Sequence, residues 1–201
     1  MKCVIVFLLG LLPATFSPAV PTQIHAYASL TSVSPNREWT FHVAGEPDSD
    51  VGARLSLTNA SGKHYALGRL ERDGRFYWCP NEKCLLVVED PSIERTSIQI
   101  TSLSALNAQP IQGLNAKLHS AVLARIGGKS TVLFYGISVL GWLGSDSAVI
   151  AVQARYVPSG ENAPAQIETV GFVLRLPSGA ISRELSEREL AHEYGFTGRI
   201  V

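Results

Sequence analysis

The chain has 201 residues, 46% of them hydrophobic, which is enough to build one sizeable core. Its 17 basic residues balance its 17 acidic ones. A charge near zero argues against a nucleic-acid partner or an anionic membrane surface, both of which select a basic face.

Met1 and Lys2 give a basic start, and Cys3 to Leu12 is a charge-free apolar run closed by Pro13. The run suits the core of a secretion signal and is too short to span a bilayer as a helix. Ser17-Pro18-Ala19 lies at the usual cleavage distance, whereas Ala26-Tyr27-Ala28 has the better small-x-small pattern. The second is favoured, so residues 1–28 read as a signal peptide and 29–201 as a single β-rich domain. The competing readings are a buried N-terminal strand or an uncleaved anchor. Cys3 sits at the wrong end of the run to carry a lipid. Losing Lys2 leaves the mature chain near −1. No later stretch can span a membrane, because glycines and Asp146 break the apolar segment from Ser130 to Val152.

Strand signals dominate the remainder. Glu38–Val43, Ala53–Thr58 and Ser97–Thr101 alternate with the period of two of half-buried strands. Leu85–Val88 and Ala148–Val152 are continuous apolar runs, expected to be buried on both faces. Turn-rich breaks separate them. Two segments read as helices. In Ile111–Ile126, Leu114, Leu118, Val122 and Ile126 fall on one face, and Gly127-Gly128 supplies a left-handed stop. Ser186 to Glu189 is a capping box that opens a short helix ended by Gly195.

Cys79 and Cys84 are the two cysteines that survive cleavage. In an oxidising compartment they read as a disulfide across the Pro80-Asn81 turn. Their spacing has neither the form nor the partners of a zinc site.

Three stretches look alike: Val33 to Phe41, Trp78 to Val87 and Trp142 to Ile150. Each runs from an apolar or aromatic strand end through a polar turn into a second strand, with another strand after a further loop. The layout resembles the WD-type β-propeller repeats of bacterial periplasmic proteins, such as the propeller of the Tol envelope system. Ser34-Pro35-Asn36-Arg37 and Trp78-Cys79-Pro80-Asn81 carry the match, and Trp142-Leu143-Gly144-Ser145-Asp146 follows it loosely. Proline would fix φ entering the turn, and asparagine would take the left-handed position. Val33 departs from the pattern, since the repeats carry an aromatic there. Trp78 and Trp142 lie 64 residues apart because a helix intervenes, and three units fall short of the four to eight blades that close a ring. The resemblance implies a mainly β fold of about three antiparallel, propeller-like units, open or closed, with two short helices. A β-sandwich is the alternative. It implies no activity, because such scaffolds bind, assemble and catalyse alike.

The search for chemistry gives no catalytic residue, no metal site and no cofactor. His192-Glu193 starts a zinc-protease motif, but Phe196 stands where the second histidine belongs. Gly136-Ile137-Ser138 lacks the second glycine of a nucleophile elbow and lies in a predicted strand. Glu89, Asp90 and Glu94 read as a solvated loop rather than a calcium loop, and Asp146 and Glu161 as partnerless loop acids. Trp39, Trp78 and Trp142 read as core packing rather than a sugar platform. Asn59-Ala60-Ser61 is a formal glycosylation sequon.

The expectation is a periplasmic or secreted interaction module with a protein or envelope partner, binding through loops at one end of its units. The alternative is a secreted hydrolase or carbohydrate-acting protein in which His42, His64 or His119 meets a carboxylate in a pocket. A third is an inhibitor that presents the Gly45–Asp50 or Gly160–Pro164 loop.

Overall fold

A computed structural model describes residues 15–25, 28–45, 52–92, 95–127, 130–158 and 163–198. The apolar run at 3–12, the cleavage residues Ala26 and Tyr27, Glu94, Glu161 and most of the two proposed inhibitory loops lie outside the described residues.

Among the described residues two short strands come first, β1 (Phe16–Pro18) and β2 (Thr22–Ile24). Twelve further strands follow, interrupted by one helix and closed by another. They are β3 (Leu30–Val33), β4 (Trp39–Ala44), β5 (Ala53–Asn59), β6 (His64–Leu70), β7 (Gly74–Trp78), β8 (Cys84–Ser92), β9 (Arg95–Ser104), β10 (Asn107–Pro110), α1 (Leu114–Ile126), β11 (Thr131–Leu143), β12 (Ser147–Val157), β13 (Gln166–Arg175), β14 (Ala180–Leu185) and α2 (Glu187–Tyr194). The fold is thus mainly β with two short helices.

β3 to β6 form one antiparallel meander. The other ten strands share a second sheet, in the order β14-β13-β12-β11-β9-β8-β7-β2, with β1 on β11 and β10 on β9. Three consecutive antiparallel runs of four strands therefore account for most of the chain: β3–β6, β7–β10 and β11–β14. Neither sheet closes on itself. The second sheet is pinched at its middle, where among the described residues β9 and β11 meet through a single parallel bridge, Tyr135 to Arg95.

The apolar pattern explains the layering. Trp39, Phe41 and Val43 alternate along β4 and pack with Leu55, Leu57, Phe76, Leu85 and Val87. The opposite faces of β7 to β9 present Tyr77, Leu86, Val88, Ile98 and Ile100. These join Ile137, Ile150, Val152, Val170 and Phe172 of the β11–β13 half, with α1 contributing Leu114, Leu118 and Val122. The two runs without alternation, Leu85–Val88 and Ala148–Val152, are fully buried because they have a layer on each side. The far face of β12 and β13 is covered by α2 through Leu190 and by Phe196. Gly171 makes that contact possible. A Cβ there would stand 2.5 Å from Leu190 Cδ2 and 2.8 Å from Leu185 Cβ.

α1 begins three residues later than the periodicity suggests, at Leu114, after Gly113. Its four apolar residues at fourfold spacing are all buried. Gly127 ends it with φ 79° and ψ 131°, outside the left-handed helical region that the stop signal suggests. α2 has the full capping box: Ser186 Oγ accepts from Glu189 N–H, and the Glu189 carboxylate accepts from Ser186 N–H at 2.7 Å.

β1 and β2 fall inside the segment read as a leader, and both are built into the sheet. Phe16 pairs with Leu143 and stacks edge-on against Tyr194 at 5.1 Å. Gly141 leaves room for Phe16 and Ser17 to lie directly on its backbone. Ile24, beside β7, is 1% exposed.

Candidate functional site

The three turns that look alike in sequence each join the first two strands of a four-strand run. The first two agree hydrogen bond by hydrogen bond. Ser34 N–H donates to Trp39 O, and Cys79 N–H to Cys84 O; Arg37 N–H donates to Ser34 O, and Glu82 N–H to Cys79 O. The side chains of Asn36 and Asn81 both accept from a backbone N–H two residues on, at 3.0 Å in each case. The asparagines therefore brace the turn, and the left-handed position belongs to the next residue, Arg37 (φ 60°) or Glu82 (φ 57°). That corrects the expectation that asparagine takes it. The third turn places Gly144 in the left-handed region, but there the glycine amide donates to Thr15 O instead.

Cys79 and Cys84 form the expected disulfide across the mouth of the second turn, with 5.4 Å between their Cα atoms. Both cysteines are buried against α1 and the β11–β13 half. In the first turn Ser34 holds the position of Cys79. Its hydroxyl accepts from Trp39 N–H at 3.0 Å and donates to Asn36 Oδ1 at 2.7 Å.

The turns lie side by side on one rim. Asn81 Nδ2 donates to Asp146 Oδ1 at 3.3 Å, tying the second turn to the third. Asp146, read from sequence as partnerless, is a link between turns. Between the first and second turns runs an open groove of about 410 Å³, lined by Asn36, Glu38, Asn81, Glu82, Lys83 and Ser104 among others. Its far wall is the β9–β10 tip. That tip is held by Asn59 Nδ2 on Ala105 O and by Tyr65 hydroxyl on Leu106 O, leaving the Leu106 side chain 77% exposed. Asn59 is buried and its amide is occupied on both sides, so the sequon nitrogen faces the protein rather than solvent.

The histidines are scattered. His42 and His64 share Thr58 Oγ1 on the outer face of β4–β6, with ring centroids 6.0 Å apart. His119 meets Tyr135 edge-on at 5.4 Å. Among the described residues none of these three meets a carboxylate. His25 lies 3.4 Å from Asp73 in an exposed pair. No three metal-ligating side chains cluster among the described residues, and none of their helices is long and apolar enough to cross a membrane. Ser138 lies inside β11. Trp39 and Trp142 are buried, and Trp78 donates to Ser32 Oγ at 3.0 Å, so the tryptophans pack between layers and form no common platform.

The acidic cluster differs from expectation. Glu89 and Asp90 belong to β8, not to a loop. Asp90 accepts from Thr96 Oγ1 at 2.9 Å. Glu89 is half-buried beside α1, and burial, helped by the nearby Glu71 charge, pushes its carboxyl up to about 7.

Comparison with protein-family models, curated proteins and solved structures finds no match.

Proposed function

We propose that the chain is an exported, non-enzymatic interaction module of the bacterial envelope that binds a protein or envelope component through its turn rim. The observation that carries this reading is the alignment of three turns on one edge, with a groove between two of them and an exposed leucine beside it. Such a surface is polar with an apolar anchor, the composition expected of a reversible protein contact. The disulfide fits an oxidising compartment. The matched turns support a reading of the three runs as propeller-like units that stack in an open array instead of closing a ring. The same packing also serves a layered sandwich.

On this reading leader removal leaves β1 and β2 in place, since Ile24 is a core residue and Phe16 packs against the core. Cleavage ahead of Phe16 fits the fold better than cleavage after Ala26 or Ala28. Among the described residues the hydrolase reading lacks the meeting of His42, His64 or His119 with a carboxylate that it requires.

Affinity capture from envelope extract tests the proposal. The wild-type chain should retain a specific partner, and a Leu106→Asp, Ser104→Arg variant should lose it while melting at the same temperature. Capture unaffected by both substitutions, or turnover in a hydrolase screen, would overturn it.

A further inference from the structure

A second cleft lies away from the rim, where β9 and β11 separate. Among the described residues one bridge joins these strands, and α1 packs beside the opening between them. Asn115 pairs with β9 as a strand would, accepting from Ile98 N–H and donating to Ile98 O, both at 2.9 Å. Beside it a cleft of about 320 Å³ opens, within the range of small-ligand pockets. Arg95, Thr96, His119, Val132, Leu133 and Tyr135 line it together with Asn115.

The polar groups of this cleft are unevenly occupied. Asn115 has both its amide oxygen and its amide nitrogen engaged, and Thr96 donates to Asp90. Tyr135 is 6% exposed, yet its hydroxyl has no hydrogen-bond partner. Among the described residues only Thr101 shares that condition. Buried hydroxyls are almost always paired, and this unpaired one belongs to a residue that lines the cleft. Burial raises the Tyr135 phenol, which keeps its proton as a donor. Arg95 sits across the bridge from it and makes no ion pair among the described residues. Among the described residues no carboxylate lines the cleft, while Val132 and Leu133 give it an apolar side.

We infer that this cleft binds a small organic carboxylate. Its anionic end pairs with the Arg95 guanidinium and accepts from Tyr135 hydroxyl, and its apolar body lies on Val132 and Leu133. Inorganic phosphate would meet the cation but leave the apolar wall unused. A neutral alcohol would do the reverse. This site is independent of the rim, and either can fail without the other.

Calorimetry and saturation-transfer NMR on the full folded chain, with benzoate, hexanoate, benzyl alcohol and inorganic phosphate as probes, test the inference. Both carboxylates should bind at least about tenfold tighter than benzyl alcohol or phosphate. Arg95→Gln should weaken benzoate about tenfold. Tyr135→Phe, which keeps the ring and its packing, should weaken it roughly fivefold, as expected for one lost hydrogen bond, without lowering the melting temperature. Equal binding of benzoate and benzyl alcohol would overturn the ligand class. No carboxylate binding below about 10 mM would overturn the site. An Arg95→Gln variant that binds benzoate like the wild type would overturn the assigned contact.

Discussion

The 79–84 disulfide lends itself to a quantitative test, because the chain contains its own control. The first turn has the same backbone hydrogen bonds with Ser34 and Trp39 where the second has Cys79 and Cys84. The covalent bond is therefore an addition to a turn that hydrogen bonds already define. Its sequence separation is 5. Closing so short a loop removes about 2 kcal/mol of unfolded-chain entropy on the loop-closure model. For a domain of this size that corresponds to a melting shift of about 4–8 °C. Equilibrium urea unfolding, followed by tryptophan fluorescence, should show reduced wild type less stable by that amount and still cooperative. A Cys79→Ser, Cys84→Ala variant should behave like the reduced protein, because the hydroxyl introduced at position 79 can imitate that of Ser34. A loss below about 0.5 kcal/mol would refute the loop-closure argument. Loss of cooperative folding on reduction would refute the claim that hydrogen bonds define the turn.

Further expectations concern the core, the buried acid and the leader. Trp39→Ala empties a site 2% exposed between the β3–β6 sheet and the β7–β8 layer; it should cost about 3–5 kcal/mol in urea unfolding. Glu89, raised to about 7 in the fold from an ordinary value near 4.5, binds more protons folded than unfolded between those values. Stability should therefore fall as pH rises through that window. Glu89→Gln should flatten this dependence and stabilise the protein at pH 8 by on the order of 2 kcal/mol, allowing for partial solvent screening. Unfolding midpoints measured from about pH 4 to pH 8 check it; a slope unchanged in the variant would contradict the assignment. Intact-mass measurement of the exported protein should find Phe16 and Ile24 retained, and a mature N-terminus at residue 27 or 29 would contradict the placement of β1 and β2.

Local chemistry was readable where it depends on neighbours in sequence. The alternation of Trp39, Phe41 and Val43, the fourfold spacing of Leu114 to Ile126 and the Ser186–Glu189 box all became the elements they suggest. The turn pairs at Pro35-Asn36 and Pro80-Asn81 were recognisable because proline and asparagine act on their immediate neighbours. Long-range placement was less accessible. Asp146 looked partnerless because its partner, Asn81, lies 65 residues away. The Tyr135 cleft has no local signature: its lining comes from β9, α1 and β11, which are far apart in sequence. Glu89 and Asp90 looked like a loop because Pro91 follows, yet pairing with β9 carries the strand on to Ser92. The apolar run ahead of Phe16 and Ile24 dominates that end of the sequence. Their burial depends on β7 and β11, which are distant in sequence.

The proposal of an exported module that binds through its turn rim is tested most directly by site-specific photo-cross-linking in the intact envelope. A photoreactive residue at position 106, beside the groove, should yield one dominant adduct. The same residue at Ile167, which is 61% exposed on β13 away from the turns, should yield none. Adducts of equal strength at both positions, or none at 106 in a chain shown to be exported and folded, would contradict the proposal.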